Sequence, residues 1–366
     1  MRAAAAILFL VLPLACGCSD QPPEGPNPSD RTLWTVRAAG GGDFQDIQDA
    51  VNVSTSGDTI LVGPGHYSTV HEGVVGGVPR IAVFIVLFRS ITIIAEAGPD
   101  STIVGGVSTT DYAIACGNAG STSISGFEIR GGGNGGVLLH RTNARFTGNR
   151  VTGATTALRC ERGTAVVDSN VITGNREGII AAGTALSTNG NRIEGSELKA
   201  ISCTLGAQAV LVGDALIGSG VANLSVSESD ASATRLLIAG GLGLGVDLFS
   251  SRLTIVESTV VDNRGFGFAL TGGSTLEADR VIVALSGGCA TQLTDGTATF
   301  TCSDVWANGL ITGAPCTTPT GDGNFAQDPA FCDSAAGDYT LSESSPCAPG
   351  NSGGCGLIGA FSVVCP

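Results

Sequence analysis

Charged side chains recur regularly in the middle of the chain and are the residues best suited to chemistry. The pair His140–Arg141 is followed one repeat later by Glu161–Arg162, and Arg176–Glu177 comes next. A carboxylate beside an arginine could hold a uronic acid or position a proton transfer. The alternative is a solvated ladder of ion pairs that adds little stability. We expect these pairs to share one outer face. The catalytic candidates are Glu161, Arg162, Arg176 and Glu177, and the glycan-binding candidates are His140, Arg141, Arg162 and Arg176.

Other kinds of site have little support. The three histidines, His66, His71 and His140, are too scattered for a zinc site. The glycine run 240–245 lacks the strand and full helix that a nucleotide-binding loop needs. We therefore predict no metal and no cofactor, although Ca²⁺ binding stays open in so acidic a chain.

Composition sets the class of protein. The chain has 366 residues, 55 of them glycine, with 43% hydrophobic and only 14% charged residues. Abundant small and β-branched residues with frequent turn formers indicate many short strands. The net charge of -14 argues against a nucleic-acid partner, because phosphate binding needs a basic stripe.

An internal repeat predicts the fold. Three segments align, 148–153 (GNRVTG), 169–174 (SNVITG) and 190–195 (GNRIEG), and the two steps between their asparagines are equal in length. Successive coils of a β-solenoid lie ~4.8 Å apart, so asparagines at the same corner can hydrogen-bond one another. We therefore predict a structural ladder, which consists of Asn149, Asn170 and Asn191.

One repeat contains three short strands separated by polar and glycine-rich corners. In residues 164–183 the apolar pairs Val166–Val167, Val171–Ile172 and Ile179–Ile180 are separated in this way. An amphipathic helix would instead show apolar residues every three to four positions. The prediction is an all-β protein, a single-stranded right-handed parallel β-helix over residues 33–301.

Cysteine usage differs between the solenoid and the tail. Cys160 and Cys203 lie two coils apart, ~10 Å, which exceeds disulfide reach, so we predict buried free thiols there and at Cys116. The tail has no close Cys pairs and no histidine, which favours disulfides over metal. The disulfide candidates are Cys302, Cys316, Cys332, Cys347, Cys355 and Cys365.

Both ends of a solenoid need covering, because an open coil exposes strand edges. Residues 43–52 have helical spacing at Phe44, Ile47 and Val51, which predicts a short capping helix at the N-terminal end. We expect the Cys-rich residues 302–366 to form the cap at the other end.

The first residues predict export. Arg2 precedes an apolar stretch that is too short to span a bilayer, which is typical of a signal peptide over residues 1–18. Residues 15–18 (ACGC) resemble the lipobox of bacterial lipoproteins, with Cys16 or Cys18 as the lipidated residue. Residues 19–32 form a Pro-rich tether. The expected location is the outer membrane or cell surface as a lipoprotein, or the medium as a secreted protein.

Two segments near the N-terminus carry a family resemblance. Residues 40–51 (GGGDFQDIQDAV) and 57–67 (GDTILVGPGHY) resemble the opening of pectin methylesterases and other pectate-lyase-like right-handed β-helix proteins. The tail segments 324–331 and 337–341 resemble secreted bacterial β-helix repeat proteins. Thr69 stands where pectin methylesterases have a glutamate, and their Asp-Phe-hydrophobic-Phe-Gly segment does not occur. The resemblance therefore implies the scaffold without its mechanism.

Two functions follow as hypotheses. The first is a non-catalytic, exported surface protein that binds an extracellular polysaccharide or has a structural or adhesive role. The second is a polysaccharide lyase or glycoside hydrolase that acts on a uronate-containing or other glycan. We expect a monomer, no nucleic-acid partner, and membrane contact only through the N-terminal lipid.

Overall fold

The computed structural model describes residues 32–309 and 321–366. The predictions for the signal peptide, Cys16, Cys18, Cys316 and nearly all of the tether lie outside these residues. No helix among the described residues is long and apolar enough to cross a membrane.

Three parallel sheets, wound coil upon coil, make up the solenoid. Sheet 1 contains Leu33–Val36, Thr59–Val62, Thr92–Ala95, Ser121–Ser125, Asn143–Thr147, Thr164–Asp168, Ala185–Asn189, Gln208–Val212, Asp230–Thr234, Arg252–Val256, Thr275–Asp279 and Thr297–Thr301. Sheet 2 contains Gly65–Tyr67, Thr102–Gly105, Glu128–Arg130, Arg150–Thr152, Val171–Thr173, Arg192–Glu194, Ala215–Ile217, Leu237–Ala239, Thr259–Val261, Ile282–Ala284 and Asp304–Trp306. Sheet 3 contains Phe84–Leu87, Tyr112–Gly117, Gly135–His140, Thr156–Glu161, Glu177–Ala182, Lys199–Thr204, Ala222–Ser227, Leu244–Phe249, Phe268–Thr271 and Thr291–Leu293.

The register confirms the predicted parallel β-helix. Ala144 pairs with Ala165, which pairs with Leu186, one coil at a time. Within a strand the residues alternate between core and solvent. Leu158 and Cys160 are buried in the core, for example, and Arg159 between them points outward. The last strand ends at Trp306, so the parallel stack extends a few residues beyond the predicted boundary at 301.

The asparagine ladder is confirmed. The backbone N–H of Asn149 donates to Asn170 Oδ1 at 2.9 Å, and the N–H of Asn170 donates to Asn191 Oδ1 at 2.9 Å. The side-chain amides repeat the same steps at 3.2 and 2.9 Å. Asn191 then donates to Asp214 Oδ1, so a carboxylate ends this run of the ladder. These hydrogen bonds satisfy the buried N–H groups of the corner, which have no partner within the turn itself.

The predicted N-terminal helix is present as Ile47–Val53. Its N-cap is Asp46, whose Oδ1 accepts a hydrogen bond from Gln48 N at 2.7 Å. Ile47, Ala50 and Val51 are buried against the first coil. An antiparallel hairpin, His71–Val75 with Val78–Ala82, follows and packs on the outer face of sheet 3. No signal in the sequence led us to predict this hairpin.

The three core cysteines are free and buried, as predicted. They are Cys116, Cys160 and Cys203. Burial raises the pKa of each thiol to about 12, which keeps it protonated and unreactive at neutral pH. They act as small apolar residues of the core.

Four of the tail cysteines form the disulfides Cys302–Cys355 and Cys332–Cys365. The prediction of a disulfide at Cys347 is wrong: its thiol is free and buried, because it faces Asp304 of sheet 2 with Sγ 3.4 Å from Oδ2. Cys289, which we did not assign to the tail set, is also disulfide-bonded.

The C-terminal segment covers more than the end of the solenoid. Asn324 continues the last coil, since its Oδ1 accepts from Ser303 N at 2.9 Å. Beyond it lies a small sheet of Phe331–Asp333, Asp338–Ser342 and Val363–Cys365, with a single 3₁₀ turn at Ser334–Ala336. Apolar residues of this segment form one cluster with outward-facing residues of sheet 2, among them Leu237, Val261 and Ile282. The expected end cap is therefore also a lateral cover.

Candidate functional site

His140 and Glu161 meet on the outer face of sheet 3. They end neighbouring strands and pair in register. His140 Nδ1 lies 3.0 Å from Glu161 Oε2, and the two side chains are 13% and 25% exposed. The contact orients the imidazole, because a carboxylate on Nδ1 favours a proton on that nitrogen. Nε2 is then left as the nitrogen that could accept a proton.

Arg159 is a site residue that our reading of the sequence missed. It points outward between two core residues, and its Nε lies 2.5 Å from Glu161 Oε1. Burial works to raise the pKa of Glu161, but the hydrogen bonds from His140 and Arg159 outweigh it and lower that pKa. Glu161 is therefore held as a carboxylate. The alternation of residues along strand 156–161 is the signal that would have placed Arg159 on this face.

Arg141 and Arg162 follow His140 and Glu161 at the corner that leads into sheet 1. Their φ angles are 50° and 53°, and Gly183 takes the same left-handed conformation in the next coil at 57°. The corner turns the chain so that both side chains are exposed on adjacent coils. Within residues 32–309 and 321–366, neither guanidinium forms an ion pair. Both are available to an anionic ligand.

Glu177 is on a strand of sheet 3, as His140 and Glu161 are, but Arg176 and Glu177 lie at the opposite edge of that sheet. Glu177 pairs with Thr156 at the start of its strand, whereas Glu161 pairs with Ala182 at the end. Five residues of strand separate the two edges by roughly 17 Å. The repeat spacing placed both sets at corners, but they are different corners. Burial works to lower the pKa of Arg159, but the hydrogen bond and charge of Glu161 raise it, and Glu177 adds a smaller effect in the same direction.

The hairpin forms a wall beside His140. An added Cβ on Gly76 would lie 2.8 Å from His140 Nε2, so the imidazole would have to shift, and the φ of 63° also favours glycine at this position. Under the hairpin, Tyr112 is 4% exposed and the Arg80 guanidinium carbon lies 5.7 Å from its ring centroid. Burial raises the pKa of Tyr112, against the lowering effect of Arg159 and Arg80. Tyr112 pairs with Gly135 at the start of the strand that His140 ends, so the Tyr112–Arg80 contact lies toward the edge of sheet 3 opposite the His140–Glu161 pair.

Metal ligation has no candidate in the described part of the chain. No group of three or more His, Cys, Asp or Glu side chains is arranged there to hold an ion. Glu161, the carboxylate beside His140, instead contacts His140 and Arg159.

The family is shown by sequence. The model of the right-handed β-helix region matches residues 112–305, more than half of the chain. The chain belongs to the right-handed β-helix family. The match includes the strands that carry Tyr112, His140, Arg159 and Glu161. No curated protein is detectably similar in sequence.

Solved structures of right-handed β-helix proteins resemble this chain at low identity. The A-module of mannuronan C-5 epimerase AlgE6 from Azotobacter vinelandii is 13% identical with a TM-score of 0.53, over 77% of this chain and 93% of that one. Pectin methylesterase from carrot is 12% identical with a TM-score of 0.35, over 87% and 92%. A GH87 α-1,3-glucanase catalytic domain is 12% identical with a TM-score of 0.39, over 82% and 70%. At these identities the similarity shows the fold alone.

Proposed function

We propose that this chain is an exported protein that binds an anionic extracellular polysaccharide along the outer face of sheet 3. The observation that carries the proposal is a pair of exposed arginines, Arg141 and Arg162, on adjacent coils at the corner beside His140 and Glu161. Neither guanidinium has an ion-pair partner among the described residues, although the whole chain has a net charge of -14.

The geometry suits carboxylate binding. Arginine presents a planar fork of donors that matches a carboxylate, and the exposed guanidiniums of Arg141 and Arg162 have no competing ion pair among the described residues. Their coils are ~4.8 Å apart, so the two cations line up along the solenoid axis. A polymer lying along that axis would meet them in succession.

Export is supported by the tail. Two disulfides close loops with sequence separations of 53 and 33 residues, and such bonds persist in oxidising compartments. The signal peptide and the lipidation of Cys16 or Cys18 belong to the same proposal. Mass analysis of the mature N-terminus would distinguish a lipid anchor from free secretion.

A second candidate function is a polysaccharide lyase or hydrolase, and the His140–Glu161 pair is the observation that favours it. A histidine oriented by a carboxylate can act as a general base, and Tyr112 lies close enough to Glu161 to sense its charge. Arg159 would neutralise a substrate carboxylate. Against this, Gly76 covers His140 Nε2. Binding without turnover remains the leading proposal.

The test is a binding and cleavage screen of polyuronates and neutral polysaccharides, with and without Ca²⁺. The double variant Arg141→Ala/Arg162→Ala should bind a polyuronate about tenfold more weakly, since two exposed charge contacts are worth about 1–2 kcal/mol together. The control is Arg252→Ala, an exposed arginine on sheet 1. Equal weakening by the control, or no binding by the wild type, would refute the proposal. Cleavage of a polysaccharide by the wild type that is lost in His140→Ala would favour the second candidate, a lyase or hydrolase.

A further inference from the structure

A second set of polar side chains lies on the outer face of sheet 3, nearer the C-terminal end. Lys199 Nζ donates to Ser225 Oγ at 2.9 Å, and Ser225 Oγ donates to Asp247 Oδ2 at 3.4 Å. Ser202, Ser225 and Asp247 pair in register on successive coils. Ser225 points outward, since its neighbours Leu224 and Val226 are core residues, yet it is only 2% exposed, and the Lys199 ammonium contacts its hydroxyl.

Apolar side chains lie beside these polar groups. Phe249 is two residues beyond Asp247 on the same strand, so both face outward roughly 7 Å apart. The Phe249 ring is 46% exposed, and Leu205 and Leu242 are exposed near the two edges of the same coils. An aromatic ring next to a few convergent polar groups is the usual composition of a small-molecule subsite.

The two sets are separated along the solenoid. Arg159, Ile180, Ser202, Ser225 and Asp247 form one column of register partners. Four coil steps therefore separate Arg159 from Asp247, ~19 Å. The same strand alternation that directs Arg159 outward directs Asp247 outward, so a linear polymer along the axis would contact both.

We infer that Lys199, Ser225, Asp247 and Phe249 form a neutral subsite, which binds an uncharged, hydroxyl-rich sugar. Asp247 would repel a uronate, but it accepts hydrogen bonds from hydroxyls, and Lys199 balances its charge. Phe249 offers its ring to the apolar face of the sugar. The inference rests on the proposed function and narrows it. The ligand is a heteropolysaccharide that carries acidic and neutral sugars in one chain.

Three defined oligosaccharides of equal length test this inference by calorimetry on the full mature chain: all-uronate, all-neutral hexose, and mixed uronate and hexose. The wild type should bind the mixed chain most tightly. Phe249→Ala and Asp247→Ala should each weaken binding of the mixed chain tenfold or more. All-uronate binding should change less than twofold in Phe249→Ala and should not weaken in Asp247→Ala, which removes a repelling carboxylate. The control is Glu277→Ala on sheet 1, which should change neither. Thermal unfolding confirms that each variant is folded.

The outcomes separate the two proposals. If the variants bind the mixed chain as tightly as the wild type, or lose all-uronate binding equally, the neutral subsite is wrong and the proposed function stands. If the wild type binds none of the three, both are overturned. Loss of all-uronate binding in Arg141→Ala/Arg162→Ala, with mixed-chain binding partly retained through the hexoses, supports both.

Discussion

Replacing Asp304 with asparagine should remove a pH dependence from the stability of the protein. Asp304 is fully buried between sheet 2 and the C-terminal segment. Its Oδ1 accepts from Gln327 N at 3.1 Å, and Cys347 Sγ lies 3.4 Å from Oδ2. Burial raises the pKa of this carboxyl to about 7 even so, from an ordinary value of 3.8. At neutral pH the folded protein must either hold a proton there or bury a charge.

The sign follows from proton linkage. The folded state holds the proton of the Asp304 carboxyl more tightly than the unfolded state. The stability that this proton contributes is therefore fully present below about pH 4 and is lost as the pH rises through about 7. A rise of the pKa from 3.8 to about 7 corresponds to about 4 kcal/mol. Asparagine keeps an oxygen for Gln327 N and stays neutral. Asp304→Asn should therefore unfold at a higher urea concentration than the wild type at pH 8, with a difference of up to about 4 kcal/mol.

The assay is urea unfolding between pH 4 and 8, with Asp230→Asn, an exposed aspartate of sheet 1, as the matched control. As the pH rises from 4 to 8, the free energy of unfolding of the wild type and of the control should fall by more than that of Asp304→Asn. A variant with the same pH slope as the wild type would refute the argument, as would one that is less stable at pH 8.

Three further predictions concern the ladder, the tail and the hairpin. Asn170→Ala removes the partner of Asn149 N and should lower the free energy of unfolding in urea by about 1–3 kcal/mol, whereas exposed Asn143→Ala should change it little; equal effects would contradict the ladder. Cys332→Ala/Cys365→Ala opens a loop with a separation of 33 residues and should cost about 3–4 kcal/mol in the same assay, and an unchanged midpoint would exclude a stabilising role. Gly76→Val should displace the hairpin tip and increase the solvent access of the His140 ring, as detected by NMR. An unshifted His140 resonance would show that Gly76 does not lie close to that ring.

The fold was predictable because the solenoid repeats its own geometry. Strands that stack in register must recur at nearly constant spacing, so Asn149, Asn170 and Asn191 reveal the coil length directly. The helix at Ile47–Val53 was predictable from its apolar spacing. The hairpin at residues 71–82 was not, because an insertion between coils carries none of the repeat.

The candidate site was predicted only in part. His140 and Glu161 were paired correctly because their coils are separated by the same regular step as the ladder asparagines. The edge of sheet 3 at which Arg176 and Glu177 lie was not predictable, because spacing alone does not distinguish one corner of a coil from another. Lys199 and Asp247 were missed, since the step between coils lengthens there and the visible repeat fades. Cys347 was misassigned because pairing depends on which sulfurs the fold brings together.

The lateral position of the C-terminal segment has a consequence for how the solenoid can come apart. In a stack where each coil touches only its neighbours, the terminal coil can fray by itself. Here one apolar cluster joins the C-terminal segment to side chains on five strands of sheet 2, from Ala215–Ile217 to Asp304–Trp306, and the Cys302–Cys355 disulfide ties the segment to the last coil. Loss of the last coil would break up that cluster. The C-terminal half should therefore open as a single unit in hydrogen exchange, in place of peeling back coil by coil.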